Sequence, residues 1–281
     1  MVKNALAGHS NPHSHSYSHS ISLACATKKT TVDKSNENSI SLNKYISQTG
    51  ICSRREADAM IEHGRVTING EPTKKGNRVF EGDVVLIDGK PLLEKPETIY
   101  IAFNKPLGVV CTTHLKEPDN IIDFIDHPER LFPVGRLDKF SQGLIFLTND
   151  GDIVNKILRA GNNHEKEYVV STRQPITDSF VKQMAAGVPV LDTITKKCQV
   201  TKMSEHTFKI TLTQGINRQI RRMCEYLDYS VTHLMRTRIM SVNLGTLKSG
   251  HWRELTEEEI QNINKAIANS SKTEEASRDI Q

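Results

Sequence analysis

Residues 66–91 contain two dipeptides that favour tight turns, and these turns restrict how this part of the chain can fold. In RVTINGEP, Val66 and Ile68 alternate with polar residues and lead into Asn69-Gly70. In VVLIDGKP, another apolar run leads into Asp88-Gly89. Asn-Gly and Asp-Gly supply the backbone conformations that a two-residue hairpin turn requires. The segment is therefore predicted to form short antiparallel strands joined by tight turns.

A pair of helices is predicted immediately before these strands. In SLNKYISQTG, Ser41 can cap a helix whose apolar residues follow helical spacing, and Gly50 can end it. The next segment, Ser53-Arg54-Arg55-Glu56, fits the S-x-x-E capping box, and Gly64 ends its helical pattern. Residues 40–90 are thus expected to form one small unit of two helices and a hairpin sheet.

Composition divides the whole chain into five parts. Proline residues near position 91 mark a stiff connector, and beyond it short apolar strands and isolated helices indicate a second, α+β domain. The predicted parts are a disordered His/Ser-rich tail (1–39), the small unit (40–90), a linker (91–97), the larger domain (98–260) and a polar C-terminal tail (261–281).

The N-terminal segment HSNPHSHSYSHS places several histidines among serines. Imidazoles could capture a metal ion, but the composition favours a solvated low-complexity tail. No metal site is therefore expected in this chain. The histidines concerned are His9, His13, His15 and His19.

The chain has 281 residues, five widely spaced cysteines and a formal net charge of +4. The cysteine spacing contains no C-x-x-C pair, which argues against a zinc ribbon or a disulfide framework. No apolar run is long enough for a membrane span, and the N-terminus lacks the apolar core of a secretory signal. We expect a soluble, cytoplasmic protein with no membrane partner, acting as a monomer.

The stretch GRLDKFSQGL places one acid, Asp138, between Arg136 and Lys139 and brackets them with Gly135 and Gly143. Apolar runs on both sides predict strands, so the acid lies on a connection between two rigid elements. The neighbouring cations favour the ionised carboxylate. Taken alone, an Asp in such a connection can equally be a turn former that hydrogen-bonds its own backbone.

Two further segments bear on the role of this acid. In HEKEYVVST, Tyr168 opens an apolar alternation, where a phenol can stack on a base or move a proton, or can simply pack in the core. In TQGINRQIRRMCEYL, apolar residues at helical spacing define a buried face with Arg221 at its margin. Arg221 could pair with a buried carboxylate or extend to water. Helical spacing directs Arg218 and Arg222 away from the buried face.

Charge placement indicates where a polyanion could bind. Residues 40–90 hold nearly equal numbers of basic and acidic residues, whereas residues 218–238 hold five arginines and two acids. The second region is therefore the more convincing phosphate-binding surface.

Several motifs resemble known families. LNKYISQTGICSRREADAMIEHGRVTINGEPTKKG resembles the S4 RNA-binding domain. YIAFNKPLGVVCTT, GRLDKFSQGLIFLTNDG, the KEYVV segment and GINRQIRRMCEYLDYSVTHLMRTRIM resemble the pseudouridine synthases of the small-ribosomal-subunit type. Within that family, DNIIDFIDH, KILRAGNNHEKEYVV and NRQIRRMCEYL look most like the members that modify 23S rRNA of the large subunit. The resemblance implies an α+β fold in which an S4 domain precedes a catalytic domain with a mixed, largely antiparallel sheet.

The resemblance also implies roles for individual residues. Asp138 would be the essential carboxylate, Tyr168 would stack on the target base, and Arg221 would pair with Asp138 through a bidentate contact. Other residues are expected near the RNA. In the catalytic domain these are Arg136, Leu137, Lys139, Arg218, Gln219, Ile220 and Arg222, and in the S4 domain they are Lys44, Arg54, Arg55 and Arg65.

The implied reaction converts a uridine in ribosomal RNA into pseudouridine after the nucleotide flips into a pocket, and the sequence leaves open whether transfer RNA is also a substrate. Nothing leaves the nucleotide, so no cofactor or metal is expected. Asp138 could attack C1′ or take the 2′ proton, and the sequence leaves both routes open. Two other functions are alternatives: a non-catalytic S4-type RNA-binding or ribosome-assembly factor, and a glycosidic-bond hydrolase, which would normally need two carboxylates.

Overall fold

The computed structural model describes residues 39–114, 116–158 and 163–268. The predicted His/Ser-rich tail lies almost entirely outside these residues, as does the last part of the polar C-terminal segment. No helix in the described part of the chain combines the length and apolar character needed to cross a bilayer.

The N-terminal part contains the predicted helix pair and hairpin sheet. Helix α1 (Leu42–Gln48) is followed by α2 (Arg54–Glu62), and the expected capping box between Ser53 and Glu56 is present. The turn dipeptides adopt the left-handed conformations that were predicted, with φ of 54° at Asn69 and 85° at Gly70. The short strands are β1 (Ile40–Ser41), β2 (Val66–Ile68), β3 (Glu71–Pro72), β4 (Arg78–Val79), β5 (Val85–Ile87) and β6 (Lys90–Pro91). Strands β3-β2-β5-β6 form an antiparallel sheet, and β1 pairs with β4.

The larger part is built on one mixed sheet, to which nine strands of the described residues belong. Seven of them follow the order β13-β14-β10-β15-β9-β7-β17, while β8 pairs with β9 and β16 with β15. The strands are β7 (Tyr100–Lys105), β8 (Phe132–Val134), β9 (Gln142–Thr148), β10 (Lys166–Thr172), β13 (Gln199–Lys202), β14 (Thr207–Leu212), β15 (Val231–Ile239), β16 (Val242–Asn243) and β17 (Trp252–Glu254). A separate hairpin joins β11 (Pro189–Val190) to β12 (Thr193–Ile194).

The middle of this sheet contains its parallel pair, β9 with β15. The pairing extends over only Gln142 with Met235 and Gly143 with Arg236, whereas the other long pairs are antiparallel and extensive. Gly143 has φ of 106°, and a Cβ atom there would lie 2.3 Å from the carbonyl oxygen of Arg236. Only glycine therefore allows the two strands to meet at this point. The predicted mixed, largely antiparallel sheet is confirmed.

Helices pack against the sheet, and their apolar residues share core clusters with those of the strands. Their bounds are α3 (Ile121–Ile125), α4 (Gly151–Leu158), α5 (Asp178–Ala186), α6 (Gln219–Tyr226) and α7 (Glu257–Ile267). The domain boundary expected at residue 260 is wrong, because α7 continues past it and places Ile263 and Ile267 in the core cluster that also contains residues of β7 and β9. Its N-terminus has a capping box formed by Thr256 and Glu259.

The small N-terminal unit contacts the larger part directly. Lys44 on α1 donates from Nζ to both carboxylate oxygens of Asp152 on α4, at 2.6 and 2.8 Å. Arg130 donates from Nη1 to the carbonyl oxygen of Cys52 at 2.7 Å. The four cysteines within the described residues are free thiols.

Candidate active site

A cavity of about 850 Å³ opens where β9 and β15 meet in the middle of the sheet. Segments 110–113, 132–141 and 212–221 form its walls, together with residues of β10 and β15. Among the described residues, its lining contains one carboxylate, Asp138, and six cationic side chains: Arg136, Lys139, Lys166, Arg218, Arg221 and Arg236. Such an excess of positive charge favours a polyanionic ligand.

Asp138 lies on the connection between β8 and β9, as the sequence predicts. The amide of Ser141 donates to the carbonyl oxygen of Asp138 at 3.0 Å, so the backbone closes a tight turn here. The carboxylate itself points elsewhere: its side chain is 35% exposed and lies beside two guanidinium groups. The backbone of Asp138 therefore closes the turn, while its side chain stays accessible to a ligand.

Arg221 reaches Asp138 from α6, but not in the expected manner. Its Nε lies 4.0 Å from Oδ2 of Asp138, while its Nη2 donates to the carbonyl oxygen of Phe140 at 2.7 Å. The predicted bidentate contact is wrong in this structure, because only Nε of Arg221 lies near the carboxylate, while Nη2 donates to a backbone carbonyl of the same turn. Burial and the nearby charge of Arg218 lower the pKa of Arg221, and Asp138 acts in the opposite direction.

Arg218 also approaches the acid, which the helical pattern did not predict. Its Nη1 lies 3.9 Å from Oδ2 of Asp138. Arg218 is the N-cap of α6 and adopts a left-handed conformation with φ of 53° and ψ of 32°. A position outside the helix does not follow helical spacing, so its side chain turns towards the cavity instead of away from it.

Tyr168 lines the cavity from β10 and is partly buried. It faces Arg236 on the neighbouring strand β15, with the guanidinium carbon 6.0 Å from the centre of the ring. The cavity thus contains an aromatic face on which a base can stack and a carboxylate that can act on a sugar.

Some of the residues expected near the RNA are buried. Leu137 is 7% and Ile220 is 4% exposed, and both belong to apolar cores. Gln219 accepts a hydrogen bond from the amide of Ile216 through its side chain and so shapes the loop before α6. These three residues line the cavity with largely buried side chains, and their expected place near the RNA stays a prediction. Arg136, Lys139 and Arg218 are exposed at its rim, and Arg222 donates from Nε to the carbonyl oxygen of Asn217.

Comparison with known proteins agrees with this geometry. The family model for RNA pseudouridylate synthase matches residues 99–226, and the model for the S4 domain matches residues 41–85. The chain is 57% identical over 237 residues to the dual-specificity RNA pseudouridine synthase RluF of Salmonella typhi. The matched region covers 84% of this chain and 82% of that protein. The chain belongs to the RNA pseudouridylate synthase family.

More distant relatives extend the same result. The chain is 30% identical to the ribosomal large subunit pseudouridine synthase B of Bacillus subtilis, over 82% of this chain and 98% of that protein. A crystal structure of a pseudouridylate synthase is 29% identical with a TM-score of 0.59, covering 80% of this chain and 99% of the other. The resemblance noted in the sequence is confirmed, and the protein is an isomerase and not a purely RNA-binding factor.

The S4 domain of this pseudouridine synthase presents its basic residues unequally. Arg54 and Arg55 are exposed at the start of α2. Arg65 forms a two-pronged ion pair with Asp88, which raises the pKa of the guanidinium and lowers that of the carboxyl through their hydrogen bond. Lys44 differs from the expectation, because it bridges to Asp152 of the catalytic domain. Its charge helps to hold the two domains together.

Three cationic residues of the synthase were not singled out from the sequence. Lys105 is completely buried and donates from Nζ to the carbonyl oxygens of Pro106 and Val109, each at 2.8 Å. Its burial lowers the pKa of its amine, and Asp138 is among the groups that oppose this effect. Lys166 and Arg236 are the others. Strand alternation could have indicated Lys166, which lies two residues before Tyr168 and so shares its face of β10.

Proposed function

We propose that this synthase converts uridine to pseudouridine in 23S rRNA of the large ribosomal subunit and in a transfer RNA. Relatives named for dual RNA specificity and for the large ribosomal subunit support this substrate range. An enzyme with these substrates works in the cytoplasm, where ribosomes assemble. The monomeric state expected from the sequence stays a prediction, which light scattering on the purified protein tests.

The observation that carries the proposal is the position of Asp138. It is the one carboxylate that the described residues contribute to the lining of a cationic cavity, and it lies within 4.0 Å of Arg218 and Arg221. Both guanidinium groups attract a carboxylate at these distances and orient it towards the cavity. A negatively charged oxygen is what both routes require, attack at C1′ or removal of the 2′ proton.

The remaining residues would bind and present the substrate. The target uridine must leave its stack to reach a carboxylate inside the cavity, and Tyr168 offers a face on which the extruded base can stack. Exposed Arg136, Lys139 and Arg218 can contact phosphates at the rim. Arg54 and Arg55 of the S4 domain extend this phosphate-binding surface beyond the cavity.

Pseudouridine mapping tests this substrate range. Purified protein is incubated with 23S rRNA and with a transfer RNA pool from cells that lack the gene. We expect new pseudouridine in both classes of RNA. Modification of 23S rRNA alone would restrict the proposal to one substrate, and modification of neither would reject it. Heat-inactivated protein serves as the control for chemical background.

A further inference from the structure

Two buried cations in the cavity have no part in the function proposed so far. Lys166 is 7% exposed and donates from Nζ to the carbonyl oxygen of His164 at 3.0 Å. Arg236 is 4% exposed and donates from Nε to the carbonyl oxygen of Leu144 at 2.6 Å. Within the described part of the chain, neither forms a salt bridge with a carboxylate. Charged groups are seldom buried in this way unless they are paired.

Donors without acceptors are found at the same place. Nη2 of Arg236 and Nε of Arg221 are buried and have no hydrogen-bond acceptor among the described residues. Native proteins contain few such atoms, and each calls for an explanation. Both residues line the cavity that holds Asp138 and Tyr168. A ligand carrying negative charge would compensate these groups where the protein does not.

Strand geometry places the two cations next to Tyr168. Lys166 and Tyr168 are two residues apart on β10 and therefore share one face of the sheet. Arg236 lies directly opposite Tyr168 on β15, with its Cζ 6.0 Å from the ring centre. Repulsion from Arg236 adds to burial in lowering the pKa of Lys166 to about 8, which agrees with two cations held close together. A base stacked on Tyr168 would lie beside both.

Burial separates these two cations from the three at the rim of the cavity. Arg136, Lys139 and Arg218 are exposed, so they can reach phosphates on the RNA surface. Lys166 and Arg236 are almost fully buried and offer little exposed surface to a phosphate of the RNA backbone. The part of a flipped nucleotide that enters deepest is its base.

The reaction creates negative charge on that base. When the C1′–N1 bond breaks, its electron pair stays on N1 and gives a uracil anion delocalised over N1, O2 and O4. In one route the carboxylate of Asp138 bonds to C1′; in the other it takes the C2′ proton and a C1′=C2′ double bond forms. C5 then bonds to C1′, displacing the carboxylate or recovering the proton at C2′, and the C5 proton leaves to a base. Both routes pass through the same uracil anion.

We propose that Lys166 and Arg236 stabilise the negative charge that develops on uracil as the C1′–N1 bond breaks. This inference rests on the function proposed above, because it takes Tyr168 as the stacking surface. Fixed cations in a water-poor site are effective at this task, because they need no reorientation while the charge develops.

The test uses the full-length chain and a short RNA containing one mapped target position, made with either uridine or 5-fluorouridine. Fluorine makes uracil a better leaving group, so fission of its bond needs less help from the protein. Single-turnover consumption of the target nucleoside is measured for Lys166→Met and Arg236→Met. Lys166→Arg and Arg236→Lys retain the charge. Lys202→Met is the matched control, because Lys202 also donates to a backbone carbonyl, that of Ile176, but lies outside the cavity lining.

We expect each Met variant to consume uridine about 10²-fold more slowly than the original chain does. With 5-fluorouridine the loss of rate should be smaller by a factor of about ten or more. The charge-retaining variants should keep most of the rate, Lys202→Met should match the original chain, and RNA affinity should change less than about threefold. Equal losses on the two RNAs, or no loss on uridine, would overturn the inference. If Arg236→Met does not fold, Lys166→Met decides alone. An original chain that forms no pseudouridine in any RNA would instead reject the proposed function.

Discussion

Arg221 contacts both Asp138 and the backbone that carries it. Nε of Arg221 lies 4.0 Å from the carboxylate, and Nη2 donates to the carbonyl oxygen of Phe140 at 2.7 Å, two residues further along the same turn. One guanidinium thus fixes the position of the turn and supplies charge to the acid on it. A lysine ammonium group is a compact charge on a flexible side chain and cannot make both contacts at once.

Arg221→Lys is therefore expected to lower the single-turnover rate by about 10²-fold, although the positive charge is kept. RNA affinity should fall much less, because the rim cations remain. Arg173→Lys, at an exposed position outside the cavity lining, is the control and should leave the rate unchanged. A lysine variant as fast as the original chain would show that charge alone is sufficient at this position.

The contact between the domains is expected to contribute to stability. Lys44 and Asp152 are partly buried and hydrogen-bonded through both carboxylate oxygens. A double-mutant cycle with Lys44→Ala and Asp152→Ala should give a coupling of about 1 kcal/mol in the free energy of unfolding, measured by urea titration. Additive effects of the two changes would mean that the pair does not help to hold the S4 domain in place.

RNA binding by the S4 domain should respond to Arg54 and Arg55. Replacing both by Ala removes two exposed cations, so the slope of log affinity against log salt should fall by roughly two. Conversion of bound RNA should be unaffected. Lys75→Ala is the comparison, since Lys75 is paired with Glu62. An unchanged slope in the double variant would place the RNA on another surface of the domain.

Gly143 provides a test of the strand junction. An Ala there would need φ of 106° and would place its Cβ 2.3 Å from the carbonyl oxygen of Arg236. We expect Gly143→Ala to lower the free energy of unfolding by about 3 kcal/mol or more. Gly82→Ala has a similar positive φ of 85° but no atom within 4 Å, so it should cost clearly less. Equal effects of the two substitutions would show that the close approach is unimportant.

Stability should depend on pH through Lys166. Burial and Arg236 lower the pKa of its amine to about 8, whereas the ordinary value is 10.5. Below pH 8 the amine is protonated in both the folded and unfolded states, and burying its charge opposes folding. Between about pH 8 and 10 the unfolded chain still binds a proton that the folded chain has lost, so this group makes the free energy of unfolding rise with pH. Lys166→Met should lack this rise in urea titrations from pH 7 to 10, and Lys202→Met should retain it.

Features set by local sequence were predictable. The capping box at Ser53, the turn at Asn69-Gly70 and the glycines around Asp138 depend on neighbours a few residues away, and each was found as expected. The capping box of Thr256 and Glu259 is an equally local signal, because the T-x-x-E and S-x-x-E patterns are equivalent. It marks the start of helix α7, which continues past the boundary expected at residue 260.

Features set by tertiary packing were not predictable. The ion pair of Lys44 joins two domains, and no local pattern reveals it. Helical spacing mispredicts the direction of the Arg218 side chain, because Arg218 is the N-cap of α6 and has a left-handed backbone conformation. The two contacts of Arg221, with Asp138 and with the carbonyl oxygen of Phe140, depend on the distance between α6 and the Asp138 turn. That distance cannot be predicted from local sequence patterns.

The most direct test of the account is single-turnover conversion by Asp138→Asn on an RNA that the original chain modifies, with Asp192→Asn, an exposed acid outside the cavity lining, as the control. The isosteric amide keeps the shape of the cavity but cannot act as nucleophile or base. We predict no detectable pseudouridine from Asp138→Asn at an RNA affinity within a few-fold of the original, and normal conversion by the control. Pseudouridine formed by Asp138→Asn at the original rate would contradict the assignment of this carboxylate as the reacting group.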